Sequence, residues 1–484
     1  MGINPASLAL KRRRTKIVAT LGPASTDPRV IDDLIAAGVN VVRLNMSHGD
    51  HDSHRMRFDR VRAAAERRGA TVAILADLCG PKIRVGKLEG GAVTLVAGAP
   101  VTVTTRPVVG TAAFLPSEYA GLPRDVKTGD RILLDDGNLE LRVDSVEDPD
   151  VGCTVVHGGI LKDHKGMNLP GVAVSAPCLT AKDRDDARFA LELGVDFLAL
   201  SFVKEAQDVR TLRDLVSASG KNAGIIAKIE RREALESIEA IIDASDGIMI
   251  ARGDLGVELP PEEVPVTQDQ LIDMARGHDR PVIVATQMLE SMVEHPRPTR
   301  AEVMDVSHAV SAGADAVMLS AETAAGAFPV EAVRMMDRIA RQTEGYLWGH
   351  GYFASLTEDD EDPRPMPIGD AMARSIALLS RDLWVRAIVI VAQSVTSATN
   401  VSASRPAAPV LAVSPDEGAC RRMSLLWGVE PVRAETASLE ASPDLARRLT
   451  KDLGLAADGQ YILVVRGFSS DPARNAPSIT ALAV

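Results

Sequence analysis

Eight short apolar runs, each closing on polar or glycine residues and usually followed by a helical pattern, limit what this chain can become. They span residues 16–21, 39–47, 71–78, 196–203, 224–230, 247–251, 281–288 and 316–322. A strand with one wet face alternates apolar and polar residues. A continuous apolar run is buried on both faces, which calls for parallel pairing beneath helices. Eight strand–helix units in succession fit an α/β protein of the (β/α)8 or TIM-barrel type.

The series is interrupted once. Between residues 82 and 170, alternating Val, Thr and Leu segments are punctuated by Gly, Pro and Asp, the texture of antiparallel strands and turns. An insertion after the third strand leaves a barrel at its C-terminal face, so this all-β module is expected as a lid over the mouth. After the eighth unit an acidic, proline-rich stretch, TEDDEDPRPMP (357–367), reads as a linker. Helical residues 368–380, then apolar runs at 387–392, 409–413 and 460–466, point to a separate α/β domain. The expected division is an N-terminal arm (1–14), a discontinuous barrel (15–81 and 171–345), the lid (82–170), a linker (346–367) and a C-terminal domain for regulation and assembly (368–484).

A chain of 484 residues is too long for one core, and its formal charge of −12 argues against a nucleic-acid partner, which requires a basic face. The one basic cluster, KRRRTK (11–16), reads as a solvated arm. The sequence carries no signal-peptide pattern and no apolar stretch long enough for a bilayer, so no membrane partner is expected. The four cysteines, Cys79, Cys153, Cys178 and Cys420, show no CxxC spacing, as in reduced thiols of a cytoplasmic protein.

Barrel enzymes work at the C-terminal ends of their strands. There the second run carries Arg43, Asn45 and Ser47 at i, i+2, i+4, on one side of an extended strand. The third ends in Asp77, the fifth in Lys228 and Glu230, the sixth in Arg252-Gly253-Asp254, the seventh in Thr286 and Gln287, and the eighth in Ser320 and Glu322. Taken singly, each is more often a solvated charge or a turn residue. Together, so many polar strand ends need a shared ligand. Glu230 and Asp254, from adjacent strands, suit a hard divalent cation, magnesium or manganese. Arg43 offers a bidentate fork for phosphate and Lys228 a compact positive charge. The backbone N–H groups that open at Gly253 could receive a carboxylate. These residues describe a magnesium-dependent enzyme acting on a small phosphorylated acid. No GxxxxGK[ST] loop is present, and the GxGxxA-like run at 349–354 follows no strand, so any nucleotide binds without a P-loop.

Several motifs are long enough to carry a resemblance: TKIVATLGPAS (15–25), VVRLNMSHG (41–49), GPKIRVG (80–86), KGMNLPG (165–171), IIAKIE (225–230), IMIARGDLGVELP (248–260), VIVATQMLESMVEHPRPTRAEVMDV (282–306) and VMLSAET (317–323). In this order, from about residue 14 to 345 and more weakly beyond, the chain resembles the pyruvate kinases. The resemblance implies transfer of a phosphoryl group from phosphoenolpyruvate to ADP, yielding pyruvate and ATP. It implies that Arg43 contacts the substrate phosphate, Lys228 stabilises the transition state, and Glu230 and Asp254 hold Mg2+. Gly253, Asp254 and Thr286 would hold phosphoenolpyruvate. Asn45, Met46, Ser47 and His48, with Arg84 and Lys165 from the lid, would reach the nucleotide. A homotetramer in the cytoplasm, serving glycolysis, is also implied.

The departures from the family pattern matter as much. The family's potassium site corresponds to Asn45, Ser47, Asp77 and the backbone of Leu78. Potassium-dependent members have an acidic residue where this chain has Lys82, and Thr where it has Leu78, so an ammonium could replace the ion and K+ is expected to be dispensable. Ala325 stands where many members carry Lys. In the effector loop at 393–398, Val395 replaces a glycine whose backbone freedom would build an anion nest. Fructose 1,6-bisphosphate is therefore not expected as an activator, and a different phosphorylated effector at the C-terminal domain stays open. The rival readings are a magnesium-dependent aldolase or lyase barrel acting on pyruvate enolates, and a non-catalytic binding descendant.

Overall fold

The computed structural model describes residues 10, 12–353, 367–392, 394–434, 443–468 and 475–484. Each of the eight apolar runs contains a strand: β1 (Lys16–Thr20), β2 (Val41–Asn45), β3 (Ala73–Asp77), β4 (Phe197–Leu200), β5 (Gly224–Ile229), β6 (Gly247–Ala251), β7 (Val282–Ala285) and β8 (Ala316–Leu319). They form one closed parallel barrel in sequence order, and β1 completes the circle against β8 with Lys16 opposite Ala316.

The barrel has two cores because side chains alternate along each strand. Val42, Leu44, Ile74, Ala76, Ile225, Ala227 and Ile229 point outward under the helices. Val18, Val41, Ala73, Leu75, Phe197, Ala199, Ile226, Met249 and Ile283 fill the lumen. The same alternation, carried one or two steps further, aims Thr20, Arg43, Asp77, Ser201 and Lys228 into the lumen at its C-terminal end. Helix boundaries follow local chemistry. The helix Pro28–Ala37 starts at Asp27, whose carboxylate accepts the Arg29 N–H, and stops at Gly38 in the left-handed region (φ 113°).

Between β3 and β4 a six-stranded sheet, completed by the two-stranded pair Ala92–Leu95 with Gly159–Lys162, encloses its own hydrophobic core. That core includes Val172 and Val174, which lie past residue 170. On the far side, helix Pro329–Gly349 runs into the segment expected as a linker. The rest of that segment, 354–366, lies outside the described residues.

The C-terminal unit is a five-stranded sheet ordered Val429–Arg433, Val410–Ser414, Ile388–Val391, Tyr461–Arg466, Ser478–Ala483, with only the last strand antiparallel. The two outer strands were not legible in the sequence. Pro431 interrupts one, which an edge position tolerates, and the other, SITALA, is largely exposed and mixes Ser and Thr with small apolar residues.

This domain docks against the barrel floor. Leu425 enters the lumen core as a plug. Arg405 forms a two-pronged pair with Asp315 (3.0 Å on each prong) and donates to the Gly313 carbonyl. Arg421 and Arg62 both pair with the buried Asp196. The basic cluster is part of the same junction, which corrects its reading as a solvated arm: Arg14 and Lys16 are only 8% and 6% exposed, and Arg13 pairs with Asp337 at 3.0 Å. They are buried because β1 begins at Lys16, so the residues before it must cross the floor beneath the C-terminal domain. Lys11 lies outside the described residues.

Replacing Arg405 with Met strands the buried Asp315 carboxylate. Such a loss costs about 3–5 kcal/mol. In urea, the C-terminal domain of Arg405→Met should unfold ahead of the barrel, and unfolding that superimposes on wild type would refute the latch.

Candidate active site

At the top of the lumen, side chains from neighbouring strands form one bonded network. Asp77, at the end of β3 and 1% exposed, accepts from the Arg43 guanidinium on β2 at 2.7 Å. Its other oxygen lies 3.3 Å from the Lys228 ammonium of β5. Lys228 also pairs with Glu230 at 2.7 Å and donates to Ser201 Oγ at 2.8 Å. Glu230 Oε2 accepts the Phe202 N–H at 2.7 Å. A second prong of Arg43 donates to Thr20 Oγ1 at 3.0 Å. Each partner is set by the barrel register, which places Asn45 opposite Asp77 and Lys228 opposite Met249.

Burial alone would neutralise these groups, and their mutual charges decide the outcome. Burial pulls Lys228 down, but Asp77 and Glu230 outweigh it and the net direction is up. Burial lifts Asp77, yet Lys228 and Arg43 hold it below the usual carboxylate range. Glu230 moves the other way: burial and the nearby Asp254 raise it against the pull of Lys228. Three carboxylates therefore face two cations, an excess of negative charge in a site proposed for an anionic substrate. Asp254 is half-buried and, among the described residues, has no hydrogen-bond or ion-pair partner. A free carboxylate beside a buried one is a donor set suited to a divalent cation. No cluster of three or more His, Cys, Asp or Glu residues suited to a metal occurs among the described residues. Two carboxylates, with the other positions left to water and substrate oxygens, match the habits of Mg2+.

Thr286 and Gln287 follow β7 in the left-handed region, at φ 67° and 55°. That backbone is costly for a β-branched residue and persists only where its surroundings enforce it. Here Arg252 does so: it is buried, anchored to Asp305 at 2.6 Å, and it donates to the Thr286 and Gln287 carbonyls at 2.8 and 3.2 Å. The turn brings Thr286 Oγ1 to 2.8 Å from the Gly253 N–H. A Cβ at Gly253 would make ordinary contact with that oxygen, at 3.4 Å.

The nucleotide candidates are dispersed around the rim. β2 ends at Asn45, whose side chain accepts the Ser47 N–H at 3.1 Å. Ser47 therefore lies in a turn and does not extend the strand face as the spacing suggested. Met46 packs in the core at 2% exposure, and its carbonyl accepts from Lys182, leaving no side-chain group for a nucleotide. His48 is exposed; partial burial, then Arg84, Lys82 and Arg43, push its imidazole down toward the neutral form. In the lid, Lys165 pairs with Asp135 at 2.6 Å and Arg84 donates to the His164 carbonyl. Lys82 is exposed and, among the described residues, forms no ion pair with Asp77. The Leu78 carbonyl accepts from Ser201 at 2.7 Å. Lid residues Lys82, Asp136 and Gly166 face Glu230 and Asp254 across a cavity of about 30 Å3.

Of the other strand-end residues, Glu322 belongs to the scaffold: it is 1% exposed and accepts the Leu289 and Ser320 N–H groups. Thr20 and Ser201 were not anticipated, and Arg252 was named only as a strand end, without its clamping role. The first two ended apolar runs at the right parity, a signal that alternation could have supplied. The role of Arg252 depends on a turn that no local pattern announces.

Known proteins bear on this geometry. Residues 12–333 match the family model for the pyruvate kinase barrel domain, and residues 370–476 that for the pyruvate kinase alpha/beta domain. A pyruvate kinase of Geobacillus stearothermophilus is 44% identical over 94% of this chain and 78% of its own length. One from Agrobacterium vitis is 43% identical over 94% of both chains. A crystal structure of a Cryptosporidium parvum pyruvate kinase superimposes with a TM-score of 0.90 at 35% identity, covering 99% of each chain. With both domains matched and the similarity spanning nearly its whole length, the chain belongs to the pyruvate kinase family.

Proposed function

We propose that this pyruvate kinase transfers the phosphoryl group of phosphoenolpyruvate to ADP at the top of the barrel lumen. The observation that carries this reading is the Lys228 ammonium, buried between Asp77 and Glu230 at 3.3 and 2.7 Å. A cation fixed this way needs no reorganisation as charge shifts between oxygens, which is the main source of electrostatic catalysis. Arg43 would grip the phosphate with its fork, steadied by Asp77 and Thr20. The turn holding Thr286 against Gly253 would receive the carboxylate. Mg2+, or Mn2+ in its place, held by Glu230 and Asp254, would reverse the negative excess of the site and neutralise phosphoryl oxygens.

The lid supports a gated cycle. A cavity of about 30 Å3 between Lys82, Asp136, Glu230 and Asp254 has room for about one or two waters. Substrates therefore require the lid to move away, and its return excludes water from the reacting phosphorus. Asn45, Ser47 and His48 line the nucleotide side, and Lys165 and Arg84 would exchange their present lid partners for phosphate oxygens. A neutral His48 suits a nucleotide contact better than a general base.

The enzyme is proposed to be of the subtype with Lys at position 82 and to need no K+. Asp77 already has two cationic partners, and Lys82 stands in the lid cleft near the same rim. Val395 begins the helix Val395–Ala403, so its backbone is committed to helical geometry, which fits an effector other than fructose 1,6-bisphosphate. Residue 393 of that loop lies outside the described residues. No helix among the described residues is long and apolar enough to cross a membrane. A cytoplasmic homotetramer remains part of the proposal. The lyase and binding-descendant readings gain nothing from the geometry, since the charged lumen network is complete and both the lid and the C-terminal domain are present.

Replacing Lys228 with Met should lower turnover roughly a thousandfold, about 4 kcal/mol, in a coupled assay for ATP formation, while circular dichroism stays native. Turnover near the wild-type value would remove Lys228 from the mechanism. In sodium- and potassium-free buffer the wild-type rate should stay within a small factor of that in KCl, and Lys82→Glu should create a K+ requirement. A many-fold loss in wild type, restored by KCl, would defeat K+ independence.

A further inference from the structure

The lid hangs from the barrel on two connectors that are held in different ways. The outbound one is pinned at Gly80, whose N–H is donated to Asp183 at 3.0 Å and where a Cβ would meet the Phe202 ring at 2.7 Å. Its φ of 68° lies in the left-handed region that favours glycine. The return connector, residues 171–176, belongs to the lid by its packing: Val172 and Val174 are buried in the lid core, with Ala176 packed against it. Ser175 fastens it further, its N–H and hydroxyl both donated to Asp125 of the lid, at 2.8 and 3.1 Å.

Bonds from the barrel to this connector therefore cross the boundary between two bodies. The Arg231 guanidinium donates to the Val172 carbonyl at 2.9 Å, and the Lys204 ammonium donates to the Val174 and Ala176 carbonyls at 3.1 and 3.4 Å. The two cations suit this task for different reasons. Arg231 is buried and its fork is fixed by Glu233, at 2.8 and 3.2 Å, so it presents a rigid donor. Lys204 is half-buried and, among the described residues, makes no ion pair, so its charge is spent on the connector carbonyls. Both side chains line the cavity in which Lys82, Asp136 and Gly166 of the lid face Glu230 and Asp254. Among the described residues, neither bonds to Arg43, Asp77 or Lys228.

We propose that Arg231 and Lys204 are positioning residues that set where the lid comes to rest over the barrel mouth, by gripping the carbonyls of Val172, Val174 and Ala176. The two donors follow the adjacent strands β4 and β5, and three carbonyls held from two such points fix an angle where a single bond would leave a swivel. Bonds from a charged donor are directional, yet each is exchanged for water at modest net cost, so the bracket can hold a closed lid and still release it. Its bearing on catalysis rests on the gated cycle proposed above. Lys165 and Arg84, which would reach the nucleotide, ride on the lid, whereas Arg43, Gly253 and Thr286, which would hold phosphoenolpyruvate, belong to the barrel. A lid resting at the wrong angle should therefore impair ADP binding more than that of phosphoenolpyruvate.

Amide hydrogen exchange at 171–176, in the full chain without substrates, is compared in wild type, Lys204→Met, Lys204→Arg and the double variant Lys204→Met/Arg231→Met, alongside steady-state kinetics. Exchange should quicken several-fold in the double variant and less in Lys204→Met, while the barrel strands exchange as in wild type. The KM for ADP should rise several-fold with that for phosphoenolpyruvate unchanged, and Lys204→Arg, which keeps a charged donor, should stay near wild type. Wild-type exchange at 171–176 in the double variant, or equal rises in both KM values, overturns the proposal. If the double variant does not fold, Lys204→Met decides, because a half-buried side chain can be removed without opening the core: exchange there equal to wild type overturns the proposal equally. Exchange is read without substrates, so it judges the bracket apart from catalysis. Quickened exchange in variants of a wild type that forms no ATP would defeat the function proposed above and leave the bracket standing.

Discussion

The Lys228 ammonium, set between Asp77 and Glu230 with Ser201 closing its coordination, is the interaction around which the upper lumen is organised. Each member depends on the others. Without Lys228, Glu230 would drift further toward its neutral form and Asp77 would lose half its compensation. Without Asp77, Arg43 would lose the bond that fixes its fork. Buried ion pairs of this kind contribute little net stability, because desolvation cancels most of the attraction. Their return is a fixed pattern of charge, which is what a transferring phosphoryl group requires.

Holding that pattern is mostly the work of the barrel. Parallel strands in strict register deliver Arg43, Asp77 and Lys228 from three separate stretches of chain to one level. The lumen below them is packed solid by residues such as Leu75, Ile226 and Met249, so the charged layer has nowhere to sink. The left-handed turn at Thr286 is stabilised from outside the lumen by Arg252. The lid and the C-terminal domain then close opposite ends. The lid meets the acidic pair Glu230 and Asp254, while the C-terminal domain seals the floor with Leu425 and the Arg405–Asp315 pair.

That floor gives the basic KRRRTK segment a different meaning. A run of cations ahead of a first strand normally reads as a solvated arm, since nothing local says what will cover it. The cover here is a domain that begins more than three hundred residues later. Only its docking converts Arg14 and Lys16 from surface charges into buried ones.

The barrel was legible because continuous apolar runs and their helical spacers are local patterns, and the candidate lumen residues because alternation by two carries a strand's parity to its end. Arg43, Asp77, Lys228 and Glu230 follow from those facts alone, together with the chemistry of a fork, an ammonium and paired acids. Other features had no local signature. Met46 sits within a site motif but points into the core, Ser47 leaves the strand through an Asx turn, and Glu322 serves backbone N–H groups. Arg252 matters only because a distant turn needs a clamp. Sequence determined which groups could reach the mouth, because strand periodicity is written residue by residue. Tertiary structure decided which of them share charge and which are left unpaired, because Coulomb energies and desolvation depend on neighbours that the chain brings together only when it closes.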